Sequence, residues 1–278
     1  MTTAARAAAV LRIAPRRRTP LLPRELVEGR ELLYFLTLRD VKIRYKQTVL
    51  GILWAVLQPL LTMFVFTVFF GRLAKVPSDG VPYAVFALCG LVPWTFFANT
   101  LQATSLSLVN NGNLLSKIYF PRIAVPLAAV GAGLVDLAVS FVVLVGYAAF
   151  RGLVLGPRLL LLPVLVLICV MTLVGAGSWL AALNVAFRDI RYTTPFLVQL
   201  WFFLTPVVYP SSLLTGAWRT VYALNPMVAV TEGFRWSLVG TSADMARLLP
   251  ASALSATLLL VGGLYAFHRR EPSFADVV

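Results

Sequence analysis

The chain has 278 residues, of which 59% are hydrophobic and 13% are charged, and its net charge is +13. Soluble domains carry about 25% charged residues, so this composition excludes an ordinary soluble fold and indicates a protein embedded in lipid. Residues 1–50 hold eleven Lys/Arg against four acids. Since this region contains no RNA- or DNA-binding motif, we interpret its charge as membrane topology and attraction to anionic lipid, with no nucleic-acid partner.

The N-terminal region predicts two different segments. Residues 1–29 are rich in Ala and Arg and lack an apolar core long enough for a signal peptide, which predicts a disordered basic cytoplasmic arm. Residues 30–50 predict an amphipathic interface helix, because one helical face collects Tyr34, Leu38, Val41, Tyr45 and Val49. Such a helix lies in the membrane surface with its cations toward phosphates, so we expect lipid-phosphate contacts from Arg39, Lys42 and Arg44.

Six later segments are apolar over about the 20 residues that a bilayer crossing requires. They span residues 51–70, 83–106, 124–150, 159–183, 195–209 and 250–267. The predicted fold class is therefore an all-α integral membrane protein, with six transmembrane helices inside one transmembrane domain at 51–268. A cytoplasmic tail follows at 269–278.

Residues 221–239 are apolar but are not predicted to cross the bilayer. Glu232 and Arg235 would each cost about 2.5–3.5 kcal/mol at a helix centre, and Pro226 interrupts the helix. We expect residues 211–247 to form short re-entrant helices on the outer face. Six crossings place both termini in the cytoplasm, and the inside segments then hold seventeen Lys/Arg against seven outside, which follows the positive-inside rule.

Two inner loops connect these spans. Residues 110–120 predict a short helix capped by Asn113 and ended by Pro121, with Leu114, Ile118 and Phe120 exposed at the membrane surface. This helix is either a simple interfacial connection or a docking element for a cytoplasmic protein. The second loop carries Arg188 and Asp189, which form either a solvated pair of little energetic weight or a second docking surface.

Polar and aromatic residues within the spans suggest further sites. Asp136 lies near the middle of the third span, where we expect it either to bond to a neighbouring helix or to be protonated. A proton relay would require more acids within the spans than the sequence has. Most aromatic residues fit an interfacial belt, but rings could also line a conduit for sugars, and the candidates are Trp54, Trp94, Trp201, Phe202 and Trp236.

The sequence lacks the usual signatures of catalysis. No lysine follows a glycine, so there is no Gly-Lys-Ser/Thr phosphate loop. The one His, His268, lies alone at a predicted helix end, so we predict no Ser-His-Asp triad. No spacing of His, Cys and carboxylates predicts a metal site, and the two cysteines lie in separate apolar segments. We therefore predict no catalytic residue, no metal and no enzyme activity of its own.

Several motifs resemble the permease subunits of ABC-2 type polysaccharide exporters, the family that transports O-antigen, capsule and teichoic acid. The most specific match is Leu38-Arg39-Asp40-Val41-Lys42-Ile43-Arg44-Tyr45-Lys46, followed by Leu50-Gly51-Ile52-Leu53-Trp54 and Gln58-Pro59. Supporting matches are Asn113-Leu114-Leu115 with Lys117, Phe120-Pro121-Arg122, Phe187-Arg188-Asp189 and Asn225-Pro226-Met227. The resemblance covers residues 30–270.

This resemblance implies a six-span homodimer in the bacterial inner (plasma) membrane, served by two copies of a separate cytoplasmic ATPase. The ATPase would hold ATP and Mg, so this chain needs no cofactor. The cargo would be a glycan on a polyprenyl-diphosphate lipid, and the re-entrant helices would narrow the exit of a pore along the dimer axis. Coupling to the ATPase would fall to Asn113, Leu114, Lys117, Ile118, Phe120, Arg188 and Asp189.

Three alternatives stay open. An ABC-2 exporter of a drug or small lipid shares the same architecture. An ion-coupled secondary transporter would use several intramembrane ionisable groups, of which Asp136 is one. A membrane-embedded glycan transferase would require clustered acids or His near the interface.

Overall fold

The computed structural model describes residues 30–46, 53–117, 120–153, 156–213 and 217–274. The predicted arm at 1–29, Ile118 and residues 275–278 of the predicted tail lie outside the described residues, as does the side chain of Lys117. The described residues form ten α-helices: α1 Arg30–Lys46, α2 Leu53–Phe66, α3 Tyr83–Asn110, α4 Gly112–Lys117, α5 Ala124–Phe150, α6 Leu162–Ala186, α7 Ile190–Phe203, α8 Ala217–Ala223, α9 Pro226–Val239 and α10 Met245–Arg270.

Five helical stretches of the described chain are long and apolar enough to cross a membrane: Val56–Leu73, Tyr83–Asn110, Ala124–Phe150, Pro157–Ala186 and Met245–Arg270. They coincide with the first four and the last of the predicted spans, and the all-α membrane fold is confirmed. The predicted fifth span (195–209) instead overlaps only the later part of the 14-residue α7, which begins at Ile190 and ends at Phe203. At 1.5 Å per residue this helix is only about 21 Å long, and the chain continues in irregular structure from Leu204 to Pro210.

The α3 helix is the centre of the bundle. It packs against α2, α5, α6 and α9, and its middle is buried on every side, as shown by Phe86, Leu88 and Phe97, all 0% exposed. The α2 helix lies at the periphery of the bundle. Only 6% of the apolar stretch Val56–Leu73 is buried, compared with 78% of the most apolar part of α3. In a chain of this composition, the exposed face of α2 is available to lipid or to another protein.

The α6 and α10 helices approach each other most closely at two glycines. A Cβ atom added to Gly263 would overlap the carbonyl oxygen of Gly175, and a Cβ added to Gly175 would overlap the backbone of Leu259. Small residues commonly allow such close backbone packing in membranes, where lipid provides no hydrophobic force between helices.

Local sequence signals define α9, which fills the space between α3, α6 and α10. At its start the Asn225 side chain accepts a hydrogen bond from the N–H of Met227 at 3.1 Å, and Pro226 occupies the first helical position. At its end Gly240 adopts φ 73°, the left-handed conformation that terminates many helices. Most of the residues between these limits are buried.

The two ends of the bundle are named after the predicted topology. At the inner end an apolar cluster joins α1, α4, the C-terminal ends of α3, α6 and α10, and the start of α5. We call it the inner cluster, and its buried members include Leu36, Leu108, Leu115, Ile123, Val185, Phe267 and Phe274. The outer end contains residues 74–82, 151–153, 156–161, 204–213 and 217–244.

Candidate functional sites

The irregular segment Leu204–Pro210, which we call the outer break, follows α7 at the outer end. Irregular backbone at membrane depth is tolerated only where its polar groups are satisfied by protein or water. Every backbone carbonyl from 203 to 208 accepts a hydrogen bond. Within the segment, the Tyr209 hydroxyl donates to Phe203 and the Val207 N–H donates to Thr205, both at 2.7 Å. From outside it, Asn225 Nδ2 donates to Leu204 (2.9 Å), Arg235 donates to Pro206 (2.6 Å) and Val207 (2.5 Å), and the Tyr83 hydroxyl donates to Val208 (2.7 Å). The break is therefore fixed by side chains of α3, α9 and the turn before α9.

Arg235 is the central donor of this network and is 0% exposed. Its Nε also donates to the carbonyl of Phe86 at 3.2 Å, and its guanidinium carbon lies 3.7 Å from the centre of the Phe86 ring. The Glu232 carboxylate balances the charge at 3.2 Å and accepts a further hydrogen bond from the Ser211 N–H at 3.0 Å. The buried pair thus connects α9, the outer break and α3 without an unpaired charge.

Sequence reasoning correctly treated Glu232 and Arg235 as costly in a span, but it did not identify them as a site. The signal was their i,i+3 spacing on one helix, which places opposite charges on the same face. The structure shows that α9 keeps both side chains buried because the outer break supplies carbonyl acceptors.

The predicted glycan-channel aromatics do not form one surface. Trp94, Trp201 and Phe202 belong to one aromatic cluster with Phe97, in which the ring centres of Trp94 and Phe202 lie 5.4 Å apart and those of Phe97 and Trp201 lie 4.9 Å apart. Trp94 is buried in this cluster, whereas Trp201 and Phe202 are half-buried.

The remaining two candidates lie elsewhere in the chain. Trp54 is exposed on α2, and Trp236 is stacked on the guanidinium of Arg158, with 5.0 Å between the guanidinium carbon and the ring centre. The structure therefore brings three of the five predicted rings together and leaves two apart.

Asp136, the carboxylate within the third span, is bonded to α1. The guanidinium of Arg44 donates to one carboxylate oxygen and the hydroxyl of Tyr45 donates to the other. Earlier on the same pair of helices, Thr37 lies against Gly131, where an added Cβ would be 2.9 Å from the threonine hydroxyl. Consequently α1 follows α5 from Gly131 to Asp136, so its last turn reaches beyond the inner cluster.

The predicted phosphate contacts on α1 have different surroundings. Arg44 forms an ion pair with Asp136, and Arg39 forms one with the neighbouring Asp40 at 2.8 Å. Lys42 is exposed. Of the three cations, Lys42 therefore has the surroundings that best suit contact with a headgroup.

The inner loop between α3 and α5 differs from its prediction in two respects. The α4 helix begins at Gly112, so Asn113 lies within its first turn and is not its N-cap. Leu114 and Phe120 are half-buried and pack against the inner cluster, so they are not the exposed apolar surface that we expected. Burial of such side chains is favourable at about 25 cal/mol per Å², which explains why they turn toward the cluster.

The second inner loop is exposed and close to the same cluster, since Val185 at the end of α6 belongs to it. Phe187, Arg188 and Asp189 are all exposed, with 58% of Phe187 accessible. Tyr192 follows at 67% exposure, with the guanidinium of Arg191 4.6 Å from its ring centre. Aromatic residues and arginine are enriched at protein–protein interfaces, so this surface, which we call the inner docking face (187–192), is suited to bind a partner. Sequence reasoning did not single out Arg191 and Tyr192.

Comparison with known proteins agrees with these features. The family described as ABC-2 type transporter matches residues 31–239. The chain is 31% identical over 259 residues to the O-antigen export system permease protein RfbA of Myxococcus xanthus, covering 92% of this chain and 99% of that protein. It is 26% identical over 254 residues to the protein of the same name in Klebsiella pneumoniae, covering 89% and 95% of the two chains.

A more distant relative is the polysialic acid transport protein KpsM of Escherichia coli, which is 23% identical over 246 residues, or 85% of this chain and 92% of that protein. The resemblance found in the motifs of α1, α4 and the later loops is confirmed. Together with the helical bundle and its apolar surface, these similarities establish that the chain is a membrane-embedded member of the ABC-2 type transporter family.

Proposed function

We propose that this chain is the transmembrane permease of an exporter that moves a polysaccharide, carried on a polyprenyl diphosphate, outward across the bacterial inner membrane. The observation that carries the proposal is similarity over nearly the full length to a protein named as an O-antigen export permease. The relative named for polysialic acid transport supports the same class of cargo. By this proposal both termini are cytoplasmic, and α7 with the outer break completes the sixth crossing.

A separate ATPase with ATP and Mg supplies the energy in this proposal. The sequence has no phosphate-binding loop, whereas the inner docking face presents exposed aromatic and charged side chains at the predicted cytoplasmic end. Two ATPase copies would bind a homodimer of the permease, one at each inner end. The ATPase would contact Arg188 and Asp189 directly and the α4 region through Asn113 and Lys117, while Leu114 and Phe120 transmit its movement to the inner cluster.

The lipid-linked cargo has two kinds of contact in this proposal. Lys42 and Arg39 contact the diphosphate at the inner membrane surface, since cations near the headgroups attract anionic groups. Sugar rings stack on the half-buried Trp201, Phe202 and Trp236 and on the exposed Trp54. Trp94, which is buried and packs against Phe97 and Phe202, supports this cluster without itself facing the cargo.

The ion-coupled alternative rests on Asp136, whose oxygens are both engaged by Arg44 and Tyr45. A carboxylate fixed in this way is not available as a carrier of protons or ions without breaking the contact between α1 and α5.

The proposal is tested by co-expressing the chain with candidate ABC-type ATPases from its own genome, purifying the complex and measuring ATP hydrolysis and glycan export in vesicles. Phe187→Ala should weaken ATPase binding and reduce export, because it removes an exposed ring of the inner docking face. The control is Phe150→Ala, a phenylalanine at the outer end of α5 that is even more exposed, at 84% compared with 58% for Phe187. If the wild-type chain neither binds the ATPase nor exports glycan with it, the proposed function is wrong.

A further inference from the structure

The turn that follows α10, which is the last described part of the chain, is packed into the interior. Here α10 continues to Arg270, a 3-10 turn follows over Glu271–Ser273, and Phe274 is 1% exposed. Its ring lies 5.3 Å from that of Phe267 in an edge-to-face arrangement, which is a favourable geometry for aromatic pairs.

The contacts of this turn lead to the inner loop between α4 and α5. The guanidinium of Arg122 donates to the carbonyl oxygen of Glu271, and its carbon lies 5.9 Å from the centre of the Phe274 ring. Arg122 precedes the first turn of α5 and lies five residues after the last residue of α4, Lys117. Phe274 and Leu115 of α4 are buried in the same inner cluster.

We propose that the C-terminal segment Glu271–Phe274 positions α4 for coupling to the ATPase. Resting on the proposed function, this inference assigns Arg122 and Phe274 as positioning residues that act through α4 and do not touch the ATPase. The physical reason is that α4 has only six residues, too few for a helix that is stable by itself, so its orientation depends on the inner cluster in which Leu115 is buried. A short helix held by a shared apolar cluster moves with α10, which spans the membrane.

The structural part of the test uses hydrogen exchange on the purified chain in lipid nanodiscs, without any ATPase. Phe274→Ala should raise amide exchange in residues 112–117 by roughly tenfold or more, since removing a buried ring loosens the local structure. Phe274→Leu should restore most of the protection because it refills the apolar space. The control is Tyr265→Ala, which removes an exposed ring from the same helix and should leave these amides unchanged.

The functional part uses the same variants with the partner ATPase. Phe274→Ala and Arg122→Met should retain ATPase binding but lose most of the stimulation of export by ATP, whereas Phe274→Leu should retain both. If Phe274→Ala does not fold, Arg122→Met carries the test, because it keeps an apolar stem and removes only the guanidinium, with its bond to Glu271 and its contact with the Phe274 ring. Unchanged exchange in residues 112–117 for a folded variant overturns the proposal. Failure of the wild-type chain to bind the ATPase would instead refute the proposed function. The exchange result would still show whether the segment Glu271–Phe274 holds α4 in position.

Discussion

Gly90 of α3 leaves the space that the guanidinium group of Arg235 occupies. A Cβ atom at position 90 would lie 2.6 Å from Nη2 of Arg235 and 2.7 Å from the carbonyl oxygen of Val207. Both distances are well inside van der Waals contact, and the carbonyl belongs to the outer break. The absence of a side chain at position 90 is therefore required for the buried arginine to reach its acceptors.

Gly90→Ala should destabilise the protein by about 1–3 kcal/mol, the usual effect of inserting a methyl group into a well-packed core. Thermal unfolding in detergent micelles measures the loss. Gly146→Ala is the matched control, since a Cβ at position 146 on α5 meets nothing within 4 Å. Equal stability of the two variants would contradict the close packing of α3 against Arg235.

Arg235→Met should be more damaging than Gly90→Ala, by about 3–5 kcal/mol, because it leaves the buried Glu232 carboxylate without its partner. Adding Glu232→Gln to Arg235→Met should recover part of this loss, since the second change removes the uncompensated charge. Chemical denaturation of the single and double variants gives the coupling between the two sites. Strictly additive losses would show that the two side chains do not act as a pair.

Adjacent glycines of α10 provide an internal comparison. Gly263→Ala should lower stability by about 1–3 kcal/mol, because its Cβ would overlap the backbone of Gly175 and the helices would have to separate. Gly262→Ala should be neutral or stabilising by about 0.5–1 kcal/mol, since that position is open and alanine favours helix. Unfolding of both variants in the same micelles measures their stabilities. If Gly262→Ala proved less stable than Gly263→Ala, α6 and α10 would not cross at Gly263.

A double-mutant cycle on Arg44 and Asp136 should give a coupling energy of about 0.5–3 kcal/mol, as for residues in direct contact. Arg44→Gln and Asp136→Asn each break the ion pair, and the double variant measures whether the two losses overlap. Thermal stability in nanodiscs is the measurement. Independent effects would place α1 away from the middle of α5 and return Arg44 to the group of lipid contacts.

The Tyr222 hydroxyl of α8 should make stability sensitive to alkaline pH. Burial raises the pKa of Tyr222 above its ordinary value, and its contact with the hydroxyl of Tyr209 adds to the shift. In the unfolded chain this hydroxyl ionises at about pH 10. Above that pH the unfolded state therefore binds fewer protons than the folded state, and the free energy of unfolding falls as pH rises. Tyr222→Phe should flatten the decline above about pH 10, as measured by unfolding across the alkaline range. A decline as steep as that of the wild type would remove Tyr222 as its source.

The sequence predicted the helical spans well because the penalty for polar groups in lipid acts locally along the chain. It predicted the packing less well, because packing brings together residues that are distant along the chain and that a local pattern does not connect. The first half of α3 is apolar on every face, so hydropathy does not indicate that Gly90 faces Arg235 or that Trp94 is buried. The inner loop was misjudged because Leu114 and Phe120 pack against the inner cluster, several members of which lie on α1, α6 and α10 and are distant in sequence.

The predicted fifth span illustrates the other limit. Its apolar residues from 195 to 209 satisfy a hydropathy criterion, but α7 ends at Phe203 and the rest is irregular. Irregular backbone in lipid is favourable only with specific donors, and those donors are Tyr83, Asn225 and Arg235, which lie in other helices or turns. Their convergence is a property of the tertiary structure and leaves no periodic pattern in the segment itself.

The order of these groups along the chain has a consequence for how the protein is made. The carbonyls of Leu204, Pro206 and Val207 leave the ribosome before Asn225 and Arg235, which donate to them. Until those later residues have been synthesised, these carbonyls lack their protein donors, so we expect the nascent segment to stay in contact with water. On the proposed six-crossing topology, α7 with the outer break and α9 would then enter the bilayer together, late in biogenesis.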